Sequence, residues 1–479
     1  MKNKIFLITF LSLILSMNLK EENPYKKYTE NLPFSMPEIS APKFPDLTLN
    51  ILDFGAIGDG KTLCTEAFKS AIKALSKEGG GRLLVPAGVW FTGPIVLKSN
   101  INLHLEVGAV IQFSGDENLY SIVQTSFEGL DTYRCQSPLS AINETNIAIT
   151  GEGVIDGNGQ YWRPVKRAKV TDSQWKEVIS RPGGYLSRED YWVPNEGYAK
   201  AEAKANMNVV IADSEEEWNE FKRFLRPVMI SLIRCKNILL QGVIFQNSPA
   251  WNLHPLMCEN IIIENVLARN PSYAQNGDAL DLESCKNALI INSKFDAGDD
   301  GICIKSGKDL DGRRRNMACE NIIVDGCTVF AGHGGFVVGS EMSGGVKNIK
   351  VQNCQFLGTD VGLRFKSTRG RGGIVENIYI KFIKYYFETT VILTFSLIIF
   401  FALLKSAPLS AIIFIFLRII PSIGISGNPL NSIALPAPLQ TISFILIFLK
   451  TGVVSSTFNL VEVSGLSPSS IISATLLPP

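Results

Sequence analysis

Residues 273–307 read YAQNGDALDLESCKNALIINSKFDAGDDGICIKSG, and they contain two acidic clusters, Asn276-Gly277-Asp278 and Asp299-Asp300. Between the clusters stands Cys285-Lys286-Asn287, followed by a run of apolar residues. The same Cys-x-Asn step with an apolar run occurs elsewhere in the chain. We therefore interpret the two clusters as parts of neighbouring coils in one stacked scaffold. That arrangement would bring three carboxylates into one small site.

The repeating element is an asparagine followed by a strand-like run of alternating apolar residues. It occurs at Asn100, Asn146, Asn237, Asn260, Asn287, Asn321, Asn348 and Asn377. From Asn237 onward the steps between these asparagines are 23, 27, 34, 27 and 29 residues. Such periods, with short β-rich runs and Gly/Asn turns, indicate a parallel β-helix, in which each coil buries its inner face only by stacking. The chain is therefore predicted to be all-β.

Four cysteines precede the asparagines in one register, so they should form a buried column. They are Cys235, Cys258, Cys285 and Cys319. A free buried cysteine behaves as a small hydrophobic residue. We interpret the column as packing, not as redox or metal chemistry.

The N-terminal region precedes this repeat in three parts. Residues 1–20 have two lysines followed by an eleven-residue apolar core, which is typical of a secretory signal and predicts export. Residues 21–48 are polar and proline-rich, which indicates an extended linker. A short strand at 49–54 and a helix at 62–77 follow, and the helix is expected to cap the end of the sheets.

The charge pattern narrows the possible partners. The formal net charge is +1 and no basic patch dominates, so nucleic acid is not an expected partner. We predict no cofactor and no metal, because the other two histidines lie apart from the acidic clusters. We also expect a monomer.

The predicted β-helix domain spans residues 49–380. One region inside it and one region after it depart from the repeat. Residues 160–225 are charged and aromatic, and they are interpreted as an insertion that either walls one end of a cleft or is a solvated decoration. Residues 381–479 contain only two acidic residues and are dense in Ile, Leu and Phe. This atypical hydrophobic tail is either membrane-associated, with a span at 385–404, or non-native, as after a frameshift.

Counting residues from the asparagines aligns the acidic clusters with two later coils. Asp299 follows Asn287 by 12 residues, and His333 follows Asn321 by the same 12. His333 should therefore lie directly over Asp299, about 4.8 Å away by strand spacing. The apolar pairs that point inward in successive coils are 280/282, 302/304, 336/338 and 363/365.

The remaining polar residues then share one outer face across four coils. They are Asp278, Asp299, Asp300, His333, Arg364 and Lys366. Crowded carboxylates cannot all ionise cheaply, so the pKa of at least one should rise. A protonated carboxyl beside ionised ones is the pairing that glycoside hydrolysis needs, and the coil spacing is compatible with an inverting enzyme. Arg and Lys on the same face suit a substrate carboxylate, which suggests an acidic polysaccharide.

Over about residues 50–380 the chain resembles glycoside hydrolase family 28, the polygalacturonases. Asn276-Gly277-Asp278 resembles the family's Asn-Thr-Asp with Gly in place of Thr, and Gly298-Asp299-Asp300 matches its Asp-Asp motif. Gly332-His333-Gly334 matches Gly-His-Gly, and Arg364-Phe365-Lys366 resembles Arg-Ile-Lys.

The resemblance implies a right-handed parallel β-helix of the pectate-lyase-like type that hydrolyses α-1,4-galacturonosyl links of pectin with inversion. It implies Asp299 as general acid, Asp278 and Asp300 as bases that activate water, and His333 as a residue that tunes the acid or contacts substrate. Asn276, Arg364 and Lys366 would bind substrate, the last two at a galacturonate carboxylate.

Other functions stay open at this point. A pectate lyase on the same scaffold would bind Ca²⁺ through carboxylates and use an arginine base, and the His and Arg/Lys residues argue against it. A non-catalytic carbohydrate-binding β-helix and a hydrolase of rhamnose-containing pectin are further alternatives. The sequence does not decide between endo and exo cleavage, although an insertion that closed one end of the cleft would favour exo action.

Overall fold

A computed structural model describes residues 23–387 and three short strands at 448–450, 453–457 and 461–463. The main body is a right-handed parallel β-helix, in which successive coils add one strand to each of three sheets. Strands are numbered along the chain. Ten strands of sheet A run parallel to their neighbours, and they are β1 (Thr48–Asn50), β2 (Gly81–Val85), β5 (Ile101–Leu105), β10 (Thr145–Gly151), β16 (Lys236–Gln241), β19 (Glu259–Glu264), β22 (Lys286–Ile291), β25 (Cys319–Asp325), β28 (Val346–Gln352) and β31 (Val375–Lys381).

The other two sheets complete each coil. Sheet B contains β3 (Gly88–Thr92), β6 (Ala109–Phe113), β11 (Val154–Asp156), β17 (Ile244–Gln246), β20 (Leu267–Arg269), β23 (Lys294–Asp296), β26 (Thr328–Val329), β29 (Gln355–Phe356) and β32 (Lys384–Phe387). Sheet C contains β4 (Ile95–Val96), β9 (Leu139–Ile142), β15 (Ile230–Ile233), β18 (Leu253–Leu256), β21 (Leu280–Glu283), β24 (Asp300–Lys305), β27 (Gly332–Val338) and β30 (Thr359–Phe365).

The repeating asparagines form a continuous ladder along sheet A. All eight adopt left-handed backbone angles, with φ from 55° to 63°, a conformation that asparagine tolerates better than most residues. Each side-chain NH₂ donates to the side-chain oxygen of the asparagine one coil earlier, at 2.9–3.2 Å. The ladder therefore turns the chain at the same point in every coil and fixes the register.

The interior of the coils is an apolar core to which the cysteine column contributes. Cys235, Cys258, Cys285 and Cys319 are free and buried. For two of the steps, the backbone N–H of one cysteine donates to the Sγ of the next at 3.4 Å. The packing interpretation of the column is confirmed.

The N-terminal end is capped by a helix, α2 (Thr65–Lys77), which turns five apolar residues into the core. The strand expected at 49–54 is shorter, since β1 ends at Asn50 and a 3₁₀ turn follows at Ile51–Phe54. The side chain of Asn50 accepts a hydrogen bond from the N–H of Leu52 at 3.0 Å, and Gly55 ends the turn at φ 80°. These local contacts outcompete strand pairing.

Residues 23–48 lie against the outer surface of sheet A. Apart from the short helix α1 (Lys26–Thr29), the segment is extended. Tyr25 and Ile39 are buried against outward apolar residues of five successive coils, including Leu239 and Ile262. The segment therefore covers an apolar strip that the solvent would otherwise reach.

Two excursions from the coils stand beside sheet C. One is the antiparallel hairpin β7 (Ile122–Phe127) and β8 (Leu130–Cys135). The other is the insertion, which contains β12 (Val165–Lys166), β13 (Tyr185–Arg188), β14 (Tyr191–Val193), α3 (Asp172–Ile179), α4 (Glu196–Lys204) and α5 (Glu215–Glu220). The insertion has aromatic cores of its own, so it is a folded unit. A last helix, α6 (Asp309–Arg315), follows β24.

At the C-terminal end the described tail strands run antiparallel to the last coil. β35 (Val461–Val463) pairs with β31, and β34 (Val453–Thr457) pairs with β32 and with β33 (Phe448–Lys450). Among the described residues, no helix is long and apolar enough to cross a membrane. The predicted signal at 1–20 and the predicted span at 385–404 lie outside the described residues, apart from the end of β32.

Candidate active site

The register that the sequence predicted along sheet C is the register of the structure. Leu280 pairs with Ile302, Ile302 with Phe336, and Phe336 with Leu363. The backbone N–H of His333 donates to the carbonyl of Asp299 at 2.6 Å, so the two residues are stacked as expected. All six polar residues assigned to the outer face therefore meet at β21, β24, β27 and β30.

The loop before β21 brings Asp278 to the other carboxylates. The nearest oxygens of Asp278, Asp299 and Asp300 lie within 4.8 Å of one another. Gly277 is required at its position, because a Cβ there would lie 2.7 Å from the side chain of Ala274. This contact accounts for glycine where the resemblance leads one to expect threonine.

His333 and Asp299 form a hydrogen-bonded pair at the edge of the site. Nδ1 of His333 lies 3.2 Å from Oδ1 of Asp299, and both side chains are about one-third exposed. Burial raises the pKa of Asp299, but the hydrogen bond and charge of His333 outweigh it, so the net pKa is below its ordinary value. The same hydrogen bond raises the pKa of His333.

Asp300 forms ion pairs with two basic side chains from the last coil of the site. Lys366 Nζ lies 2.5 Å from Oδ2 of Asp300, and Arg364 lies 3.5 Å from Oδ1. Arg364 keeps about a third of its side chain exposed, so it can still meet a ligand in the cleft. Phe365, between them, packs on the core.

Asp278 is buried, and its environment differs from that of Asp299. Burial raises its pKa well above the ordinary range, and the charges of Asp281 and Asp299 add to the effect. The predicted rise in the pKa of one crowded carboxyl is therefore found at Asp278. It is not found at Asp299, which the resemblance makes the general acid.

Beneath the carboxylates lies a buried lysine that the sequence analysis missed. Lys305 Nζ is 3.1 Å from Asp281, 3.1 Å from Glu341 and 3.7 Å from Asp278, and it sits 4.1 Å from the ring centre of Trp251. Lys305 follows Ile304 just as Lys366 follows Phe365, and Ile304 and Phe365 share one register position. The alternation of inward and outward residues would therefore have placed Lys305 on the same face.

A second buried network continues the floor of the cleft toward the N-terminal coils. His254 Nε2 lies 2.9 Å from Glu283, which also pairs with Arg315 of α6. Arg315 reaches Asp131 of the hairpin at 2.9 Å. The network therefore ties the hairpin and α6 to the strand that carries Asp281.

Asn276 is held by Glu128 in the turn of the hairpin and by Arg226, which directly follows the insertion. Its side-chain oxygen accepts from Arg226 at 2.7 Å, and its NH₂ donates to Glu128 at 2.9 Å. Arg226 also donates to two backbone carbonyls and is buried. One N–H and one lone pair of Asn276 stay available for a substrate, so its role as a substrate-binding residue stays a prediction.

The insertion also reaches across the cleft. Lys169, which ends the 3₁₀ turn Arg167–Lys169, places Nζ 2.9 Å from Nε2 of His333. Sequence reasoning had no means to find this contact, because the insertion lies outside the repeat. Of the two roles considered for the insertion, the contact of Lys169 with His333 favours a wall.

The carboxylates do not suit a Ca²⁺ cage, which needs six to eight oxygen ligands. Asp278, Asp299 and Asp300 are close enough to offer one oxygen each to a cation. However, Lys305 already lies near Asp278, and Lys366 and Arg364 already pair with Asp300. Protein cations thus occupy the positions around these carboxylates that a metal would compete for.

Comparison with known proteins places this geometry in a family. The model of "Glycosyl hydrolases family 28" matches residues 213–386, which include every residue assigned to the site. A hyperthermoactive exopolygalacturonase from Thermotoga maritima shares 40% identity, with 71% of this chain and 72% of that chain covered and a TM-score of 0.58. The chain belongs to glycosyl hydrolase family 28.

Two further similarities mark how far the family relationship extends. A family 28 exopolygalacturonase from Yersinia enterocolitica shares 28% identity, with 71% of this chain and 58% of that chain covered and a TM-score of 0.56. A probable polygalacturonase of Vitis vinifera is 30% identical over 69% of this family 28 chain. The chain spans 59% and 54% of the length of the first two curated relatives.

Proposed function

We propose that this family 28 chain is an O-glycosyl hydrolase that cleaves α-1,4-galacturonosyl bonds of pectic polysaccharide. The observation that carries the proposal is the convergence of three carboxylates with Arg364 on one exposed cleft face. The carboxylates supply acid and base, and the guanidinium suits the carboxylate on each galacturonate unit. Because such a polymer does not enter a cell, we extend the proposal to an exported protein.

In the proposed mechanism Asp299 protonates the leaving oxygen. Asp299 is the most exposed carboxyl of the three and is hydrogen bonded to an imidazole that can exchange its proton. Asp278 and Asp300, at the other side of the cluster, would together orient and deprotonate the attacking water. Lys366 and Arg364 would hold the Asp300 carboxylate in place through their ion pairs with it.

The stereochemical outcome needs its own test. The nearest carboxylate oxygens lie within 4.8 Å, which is shorter than the roughly 6.5–9.5 Å between carboxyl groups that is typical of inverting enzymes. Inversion is therefore proposed from the family resemblance and not from the spacing. Proton NMR of the first product released from an oligogalacturonide decides it, since an inverting enzyme releases the β-anomer from an α-link.

We further propose exo cleavage, with the insertion and the hairpin closing one end of the cleft. The hairpin, the insertion and the loop of Asn276 are bound together through Glu128, which accepts from Asn276 and from Asn208. The two solved structures compared above are both described as exopolygalacturonases. An exo enzyme should release one short product from defined oligogalacturonides while the viscosity of polygalacturonate falls slowly.

The decisive experiment compares the unmodified protein with Asp299→Asn. The unmodified protein should release reducing ends from polygalacturonate, and the variant should lose roughly 10²–10⁴-fold in kcat while still binding the polymer. Release of unsaturated, UV-absorbing products would instead identify a lyase. Binding without release by the unmodified protein would identify a carbohydrate-binding β-helix, and release only from rhamnose-containing pectin would change the substrate.

A further inference from the structure

The contact between Lys169 and His333 adds a residue of the insertion to the site. Nζ of Lys169 lies 2.9 Å from Nε2 of His333, and the other ring nitrogen faces Asp299 at 3.2 Å. The imidazole thus bridges an exposed ammonium and a carboxylate. None of the four family motifs contains Lys169, because it lies outside the repeat.

The chemistry of the donors fixes how this chain of three groups is protonated. An ammonium has only donors, so Nε2 of His333 must be the acceptor. The ring proton then lies on Nδ1 and points to Asp299. An imidazole protonated on both nitrogens would instead turn an N–H toward the ammonium, which Coulomb repulsion opposes.

We propose that Lys169 is a positioning residue that shifts the proton shared by His333 and Asp299 toward the carboxyl, the form that general acid catalysis requires. The inference rests on the proposed hydrolase function. When the pair takes up one proton, the proton can settle on the imidazole or on the carboxyl. Lys169 destabilises the state with the protonated imidazole, because the two positive charges repel each other. It does not destabilise the state with the protonated carboxyl, in which the ring stays neutral.

The charged groups around His333 support this assignment. The hydrogen bond to Asp299 raises the pKa of His333, the charge of Asp360 on β30 acts in the same direction, and the charge of Lys169 lowers it. Lys169 is therefore the cation that opposes the imidazolium among the groups that act on this ring. Removing Lys169 should therefore shift the shared proton further toward His333.

The test combines histidine NMR with kinetics on the full chain. Three variants are compared with the unmodified protein: Lys169→Met removes the charge, Lys169→Arg keeps it, and Lys176→Met removes an exposed lysine of α3 away from His333. The chain has only three histidines, so ¹⁵N-histidine labelling resolves the titration of His333 and the nitrogen that carries its proton.

In Lys169→Met the imidazolium of His333 should persist to higher pH, and kcat should fall roughly tenfold, a part of the roughly 10²–10⁴-fold that general acid catalysis contributes. KM should change little. Lys169→Arg should stay close to the unmodified protein, and Lys176→Met should match it in both measurements.

Two results would overturn the inference: an unchanged titration of His333 in Lys169→Met, or a raised KM with unchanged kcat, which would make Lys169 a substrate contact. Failure of the proposed function is recognised separately. If the unmodified protein hydrolyses no pectic substrate, the hydrolase proposal fails, while the NMR titration still decides whether Lys169 controls the proton on His333.

Discussion

Replacing Lys305 by Met should destabilise the fold strongly, because the ammonium is the counter-charge of three buried carboxylates. Only 5% of its side chain is exposed, and Asp281, Asp278 and Glu341 are 0%, 4% and 10% exposed. Met fills a similar volume, so the change removes mainly the charge. Burial lowers the pKa of Lys305, but the neighbouring carboxylates outweigh it and raise the pKa well above the ordinary value.

The expected loss in the free energy of unfolding follows from the burial of the ion pairs. Removing one partner of a buried ion pair costs about 3–5 kcal/mol, because the other charge stays behind without compensation. The matched control is Lys286→Met, whose ammonium lies 2.9 Å from Glu320 but is 38% exposed. Exposed pairs contribute about 0.2–1 kcal/mol. Both variants lose a lysine with a short carboxylate contact, and they differ in burial.

Urea unfolding followed by circular dichroism measures the difference, with the midpoint and slope compared at pH 7 and pH 4. Burial raises the pKa of Asp281 to about 6 even with Lys305 present. In Lys305→Met it should rise further, so Asp281 takes up a proton at pH 4 and the deficit shrinks there. A loss below about 1 kcal/mol at pH 7, or a deficit equal at both pH values, would refute the reasoning.

Further predictions concern the asparagine ladder, the loss of stability at acid pH and the binding of the substrate carboxylate. Asn287→Ala should cost about 1–3 kcal/mol in urea unfolding, since two ladder bonds and a left-handed residue are affected, and Asn287→Gly should cost less because glycine removes the backbone strain. Burial raises the pKa of Glu341, but Lys305 and Ser340 outweigh it and bring it to about 2. Its ionised form therefore stabilises the fold above about pH 4.5, and this contribution is lost toward pH 2. Glu341→Gln should therefore reduce the fall of the melting temperature between about pH 4.5 and pH 2. An unchanged fall of the melting temperature in the variant would contradict this prediction. Arg364→Ala should raise KM roughly 10- to 100-fold for polygalacturonate, as a lost charged hydrogen bond of about 1.5–3 kcal/mol would, but should leave methyl-esterified pectin oligomers nearly unaffected; equal effects on both would argue against carboxylate binding.

The parts of the molecule that obey the repeat could be predicted from sequence. The 12-residue distance from asparagine to site residue placed His333 over Asp299, and the alternation of inward residues placed Arg364 on the same outer face as Asp300. These predictions worked because strand pairing and side-chain alternation are local rules that the ladder repeats in every coil.

The contacts that the sequence could not predict are made by segments that lie outside the repeat. Lys169 reaches His333 from an insertion whose path is set by its own aromatic cores. Arg226 and Glu128 meet at Asn276 although they lie about 50 and 148 residues from it along the chain. The opposite directions of the pKa of Asp278 and Asp299 follow from burial and from the imidazole contact, which only coordinates reveal.

The asparagine ladder also determines where this architecture tolerates growth. Successive rungs are separated by as few as 23 and as many as 91 residues of chain, yet the side-chain bond between them stays at 2.9–3.1 Å. Extra length leaves the coil at its turns and returns to the same rung, as the insertion and α6 do. Segments that shape the substrate-binding cleft can therefore be inserted at these turns without moving the strands that carry the site residues. The ladder separates the evolution of substrate choice from that of the chemistry.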